Sequence, residues 1–460
     1  MVKVGGFVCD VTPPMGSPLC LGLVEPARAV DDALQCRGLV ILGREAPIVL
    51  CAVDWVGIAN SSHLHWRSVL AQAAGTSPER VAVHTVHQHD APGVDADAES
   101  IMARHELRGQ GYLVDWSESA VERVAAAVRQ AAEEAVPVTH LGLGKAEVSQ
   151  VASTRRVLGP DGHVVGVRYS ATRDARLRAA PEGIIDPYAR AVTMWEDDRL
   201  VASLSYYATH PQSYYGQGRV SRDFPGLARD PVDERWPKAW IVHFCGAAGN
   251  VTAGKYNDGA PENRPILAQR LGRGINQAVQ ASRAQRVPLA DADVKWAVKD
   301  VGLPPALHME DAGADDVLEA VRRGRLFRIA RDAAYARRFA SKSPITLSCL
   351  TLGTARILHL PAELFVEYQL CAQQMRPDLF VAMAAYGDYG PGYIGTRVAY
   401  PQGGYEVGRA SRVSTEAEDI LTNALRDLLD APEAGWDTPS EVTTRAPRGP
   451  LPESADSVAP

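Results

Sequence analysis

The sequence predicts an α/β fold, and three observations carry that reading. Strand-like and helix-like segments alternate along the chain, polar residues and Gly-rich loops recur just past the strand ends, and 46% of the 460 residues are hydrophobic, enough for a sizeable core. The length could hold two or three average domains, but no internal repeat and no linker precedes residue 430. One large domain over residues 1–430 is therefore expected.

The elements follow in order. GLVILG (38–43) and PIVLCAVDW (47–55) read as a strand pair joined by a turn at Arg44-Glu45-Ala46. RVAVHTVHQH (80–89) reads as a strand, because valines alternate with small or polar residues. It should end near Asp90, since Ala91-Pro92-Gly93 cannot continue a ladder. SESAVERVAAAVRQAAEEA (117–135) reads as a helix with Ser119 and Glu122 as a capping box. DRLVASLSYYATH is a strand ending at His210-Pro211, and AWIVHFC (239–245) is another, followed by a Gly-rich loop. PILAQRLGRGINQAV is an amphipathic helix beginning at Pro265. Residues 313–340 form a long Arg-rich helix, whose arginines read as a solvated face rather than an anion-binding groove. TARILHLP (354–361) is a strand ending at Ala362-Glu363, and a last helix runs from Thr415 to about Asp430 with Glu418 completing a capping box. Residues 431–460 are rich in Pro, Ser and Thr and are expected to be a disordered tail.

Charge narrows the partners. A formal net charge of −7 argues against a nucleic-acid footprint and against an anionic-membrane docking surface, leaving a small-molecule substrate, neutral or cationic. Seven scattered cysteines without a CxxC pair suggest reduced thiols. No charged segment precedes a long apolar run at the start and no stretch of ~18 apolar residues occurs anywhere, so a soluble cytoplasmic protein is expected.

VHTVHQHDAPG (83–93) concentrates three of the twelve histidines. On a strand, Val81, Val83, Thr85, His87 and His89 share one face, while Ala82, His84, Val86 and Gln88 share the other. Only His87 and His89 can then converge, and His84 is interior scaffolding. An HxH pair alone does not establish a metal site. Further candidates follow other strands: His210 in ATHPQSYYG, the loop GAAGNVTAGKYNDG, Glu363, and the loop YGDYGPGYIGT. Delivery of ligands past strand ends is how α/β proteins assemble sites, and two imidazoles with a carboxylate suit catalytic Zn²⁺. Taken singly, His210 also fits the end of a strand and Glu363 the cap of a helix from Leu364.

These segments resemble the neutral/alkaline ceramidase family, specifically the N-terminal catalytic domain of those zinc amidases. The resemblance runs through DVTPPMGSPL, VDDALQCRGLVILG, HQHDAPG, ATHPQSYYGQGRVSRDFPGLAR, GAAGNVTAGKYNDG, LPAELFVEY and GYIGTRVAYPQGGYEVG, in the family's order, over roughly residues 5–430. It implies mixed β-sheets flanked by helices and a zinc held by His87, His210, Glu363 and Tyr393. His89 would be a catalytic neighbour, and Arg155 in STRRVLG would contact the reacting polar group, although Thr154 replaces the family's asparagine. Thr252 stands where the family carries a serine with an assigned catalytic role, and HQHD replaces HTHS. Loop amides around Gly249 and Asn250 would help hold an oxyanion, and Asp90 or Asp54 would orient a ligating histidine.

No signal peptide or immunoglobulin-like domain like those of the secreted ceramidases is expected here, so hydrolase activity is expected to carry over better than ceramide does. The leading expectation is a zinc-dependent hydrolase of an amide, ester or lactone in a small soluble substrate. A second is a zinc-dependent lyase acting on a sugar-like or hydroxy-acid substrate with His89 or Tyr214 as base. A third is a non-catalytic binding protein with a vestigial site.

Overall fold

Three mixed β-sheets meet in one apolar interior, in a computed structural model that describes residues 1–309 and 326–451. The first sheet contains β1 (Lys3–Asp10), β2 (Gln35–Leu42), β3 (Ile48–Val53), β4 (Val81–Thr85) and β5 (Val136–Pro137), in the order β4-β3-β2-β1-β5. The second contains β6 (His140–Glu147), β7 (Tyr188–Glu196), β8 (Arg199–Tyr207), β9 (Trp240–Cys245) and β10 (Val287–Pro288), in the order β9-β8-β7-β6-β10. The third is β11 (Val294–Val301), β12 (Ile345–Leu352), β13 (Ala355–His359) and β14 (Phe380–Ala384), in chain order.

Val4 and Leu50 of the first sheet, Val192 and Val242 of the second, and Leu350 and Ile357 of the third belong to one buried cluster. Helices cover the outer faces. α1 (Asn60–Ala74) and α2 (Val114–Glu133) pack Leu70, Val121, Val124 and Val128 against Phe7 and Val49, the 3- and 4-residue spacing of an amphipathic stripe. α3 (Asn263–Ala284) buries Leu271 and Ile275 beside Ala189 and Ala191. Further helices are α4 (Leu326–Ala340), α5 (Val366–Met375), α6 (Ala417–Leu429) and α7 (Pro439–Thr444).

The strands β2 and β3 form the expected antiparallel pair, with Gly38 opposite Cys51. Each sheet also carries one parallel pair at an edge: β3 with β4, β8 with β9, and β13 with β14. That arrangement matters for function, because the segments leaving β4, β8 and β13 carry His87, His210 and Glu363.

Several local expectations are corrected. α2 starts at Val114, so Ser119 lies inside it and caps nothing. α6 starts at Ala417, and Glu418 accepts hydrogen bonds from the Arg397 and Ser440 backbones rather than closing a capping box. The segment 431–460 is not a featureless tail over its described part. Thr438 and Glu441 form a capping box for α7, with Pro439 in the first turn, and Thr443 reaches Thr396 at 2.8 Å. A Pro/Ser/Thr-rich composition concealed that cap. Of the Arg-rich helix, residues 313–325 lie outside the described residues.

Burial keeps several histidines neutral. It pushes His63 down to about 4 and His84 and His243 down to about 3, and pushes His89, His210 and His359 well below the ordinary range. An unfolded chain takes protons on these rings below pH ~6.5 while the native state does not, so their contribution is full above that pH and is lost as pH falls. Asp90 and Asp95, raised by burial to about 6 and about 7, act in the opposite sense but are fewer. The urea midpoint should therefore drop steadily between about pH 7 and about pH 5 at fixed ionic strength; a midpoint that rises over this window contradicts the balance.

Candidate metal centre

β4 ends at Thr85, two residues before His87. His87 adopts φ 74°, in the left-handed region that bulky residues avoid, so His87 and His89 do not converge by strand alternation as expected. They converge because the chain turns. Rings of His87 and His89 lie 4.7 Å apart, His87 and His210 4.8 Å, and His89 and His210 5.3 Å, centre to centre. The three side chains form a group that could hold a metal ion, with one nitrogen from each within 4.8 Å of the others.

Backbone carbonyls orient all three rings. Val56 O meets His87 Nδ1, Ala248 O meets His210 Nδ1 at 3.1 Å, and His87 O meets His89 Nδ1 at 3.0 Å. A carbonyl can only accept, so each Nδ1 carries the proton and each Nε2 offers a lone pair. Carbonyls therefore take the orienting part expected of Asp54 or Asp90. Asp54 is instead bound by Arg229, with Nη1 at 2.9 Å, and Asp90 accepts from the Gly216 amide at 2.8 Å.

Glu363 completes the cluster. Its Oε2 lies 3.3 Å from His87 Nε2 and 3.4 Å from His210 Nε2, is fully buried, and has no hydrogen-bond partner. Oε1 accepts a bond from the Tyr389 hydroxyl at 2.6 Å. Burial alone would raise this carboxyl, and the Tyr389 and Tyr393 hydroxyls counter it. Glu363 pairs in parallel with Tyr393 through two short strands, Glu363–Leu364 and Tyr393–Ile394, which sets the two side chains beside each other. Gly249 passes so close behind that an added Cβ would fall 2.3 Å from the Glu363 carbonyl oxygen.

Arg155 is nearly fully buried and donates through Nη1 to the Tyr393 hydroxyl at 3.2 Å, while its Nε and Nη2 lack hydrogen-bond partners, Nε lying 4.0 Å from the buried Glu406 Oε1. His89, Arg155, His210, Glu363 and Tyr393 all line a cleft of about 760 Å³. Tyr214 lines it too, with the Arg264 guanidinium 3.8 Å from its ring centre.

Thr252 is not brought to the centre. Its hydroxyl is committed to the Arg168 and Tyr169 carbonyls at 3.1 and 2.9 Å, in a buried two-residue strand. The Gly249 amide is also spent, on Leu364 O at 2.7 Å, and the Asn250 side chain caps α5 by accepting from the Val366 amide at 2.9 Å. His84 is interior scaffolding as expected, its Nδ1 on Ala385 O at 2.7 Å.

Sequence reasoning missed three tyrosines. Tyr386 stacks on His87 at 4.4 Å, Tyr389 binds Glu363, and Tyr215 stands edge-on to His89 at 5.2 Å. The available signal was YGDYGPGY, which places Tyr386, Tyr389 and Tyr393 in one Gly-rich loop.

No family model and no curated protein matches this chain. Solved structures do. A crystal structure of neutral ceramidase from Pseudomonas aeruginosa superposes with a TM-score of 0.68 at 14% identity, covering 98% of this chain and 78% of that one. A ceramidase complexed with C2 superposes at 0.67 with 15% identity, covering 100% and 77%. The chain has the neutral-ceramidase fold.

Proposed function

We propose that this chain is a zinc-dependent hydrolase that cleaves the amide bond, or a chemically neighbouring ester or lactone, of a small soluble substrate. One observation carries the reading: an orphaned, buried Glu363 oxygen faces the Nε2 atoms of His87 and His210. Two imidazoles and a carboxylate whose free lone pairs meet fit a divalent cation, and the ceramidase-like fold supports the choice of reaction. His87, His210 and Glu363 would hold Zn²⁺, with Tyr393 as a further ligand. Bound there, Zn²⁺ would lower the pKa of water towards ~7 and polarise a carbonyl.

The remaining work falls to the chain's own residues. His89 is kept neutral by burial, with its Nδ1 proton engaged by a carbonyl, so Nε2 holds a free lone pair at neutral pH. It can take a proton from the attacking water and pass it to the departing nitrogen. The Nη2 of Arg155, which has no hydrogen-bond partner, suits an oxyanion developing at the acyl carbon. Tyr393, bonded to Arg155 and 3.3 Å from the Tyr405 hydroxyl, fixes that guanidinium in place.

Three outcomes test this. Purified protein grown with zinc should contain about one equivalent of zinc, His87→Ala should lose most of it, and His84→Ala should not; equal loss in both variants removes the assignment. His89→Gln should keep its zinc while kcat falls on the order of 10²-fold or more, because the amide bonds like imidazole but cannot shuttle a proton. Loss of zinc in that variant would make His89 a ligand instead. A panel of short, water-soluble amides and esters should show turnover while long-chain ceramide in micelles should not, and hydrolysis in heavy-oxygen water should label the acyl product. An unlabelled, ultraviolet-absorbing product identifies elimination and removes the hydrolase.

A further inference from the structure

Charge in the cleft is markedly one-sided. Among the described residues that line it, Glu363 is the one carboxylate, and it sits in the centre with His87 and His210. Against it stand Arg155, Arg328, Arg331, Arg409 and Arg412. Arg155 belongs to the centre. The other four come from α4 and from the loop ahead of α6.

Their surroundings differ. Arg412 is neutralised by Asp332, with Nε to Oδ1 at 2.8 Å, and Arg328 is engaged as well. Arg331 is half-buried and donates Nε to the Phe327 carbonyl one turn earlier at 3.3 Å. No carboxylate among the described residues lies within ion-pair distance of it. Tyr112, Tyr389, Asp332 and Cys20, in that order, are the groups whose fields support its charge, but the Asp332 carboxylate is already bonded to Arg412, and Tyr389 is the residue that bonds Glu363. Arg409 is exposed and likewise forms no ion pair among the described residues. A partly desolvated guanidinium with no ion-pair partner of its own among the described residues is costly, and a bound anion would offset that cost through paired N–H donors.

We propose that Arg331, assisted by Arg409, is the anion subsite of this cleft, and that the substrate is an amide bearing a carboxylate or phosphate a few bonds from its scissile carbonyl. An N-acyl amino acid has that shape. Arg331 and Tyr389 line the same cleft and Tyr389 bonds Glu363, so the anion and the reacting bond belong to one compact molecule. The arginines of this helix were expected to form a solvated face; Arg331 turns inward instead. The placement of the scissile bond rests on the hydrolase reading, whereas the anion subsite does not.

The test uses zinc-loaded protein and three probes: N-hexanoylglycine, its carboxamide, and N-hexanoylethanolamine phosphate. Calorimetry should show at least one anion binding about 10-fold or more tighter than the carboxamide. Arg331→Gln should abolish that preference and Arg409→Gln should weaken it, with carboxamide affinity and the circular dichroism spectrum unchanged. Whichever anion wins names the group. Equal affinity for all three probes, no detectable binding of either anion, or a preference that survives both substitutions overturns the subsite. Turnover is followed in the same samples. Anion-selective binding without hydrolysis leaves the subsite and removes the hydrolase, while hydrolysis of carboxamide and anion at equal rates does the reverse.

Discussion

The centre depends on keeping one buried carboxylate charged. Burying an ionised carboxylate costs several kcal/mol unless opposite charge or hydrogen bonds answer it. Glu363 receives the Tyr389 hydroxyl on one oxygen and leaves the other facing two imidazole lone pairs. Lone pairs opposed in this way repel one another, and a cation between them converts repulsion into coordination. The carbonyls of Val56 and Ala248 are what make the arrangement unambiguous, since they fix the histidine tautomers before any ion binds.

Three sheets are needed because the three donors come from three different parallel edges. At each, the chain leaves the sheet through a sharp turn, and two of the turns contain left-handed non-glycine residues: His87 at φ 74° and Ala362 at φ 58°. Tyr386, at φ 60°, joins them. Such conformations cost of order 1–3 kcal/mol each and persist only where the surroundings over-determine them. Here they secure one another. The Tyr386 carbonyl accepts from the Thr85 amide at 2.9 Å, its own amide donates to Ala362 O at 2.9 Å, and its ring stacks on His87.

Much of this was legible in the sequence. Alternating valines before His84, the run AWIVHFC and the pair at 38–55 are strands in the structure because burial on a pleated surface imposes that composition. His87, His210 and Glu363 could be singled out because each follows a strand end, whereas Tyr393 came as a ligand candidate only with the family resemblance. What failed was chemistry that depends on three-dimensional neighbours. Thr252 carries the right hydroxyl, but two carbonyls brought from residues 168 and 169 consume it. Asp54 lies past a strand as a second donor should, yet Arg229, distant in sequence, claims it. No local pattern announces either partner. The turn at His87 was hidden for a related reason: alternation reports the face a side chain would take if the strand continued, and it does not continue.

The centre and the cleft wall come from different parts of the fold and answer to different constraints. Donor positions are dictated by strand ends and by a network of backbone hydrogen bonds, whereas Arg331 and Arg409 sit on a helix and a loop laid over that frame. The protein's overall charge of −7 makes the wall's role local. At physiological ionic strength a charge is screened beyond about 8 Å, so the guanidiniums do not draw anions from afar, and the net field outside opposes them. Arginines placed this way act only on a molecule already in the cleft, where water is scarce and a paired N–H fork is strong. Selectivity from this wall must then appear in how long an anion stays rather than in how fast it arrives.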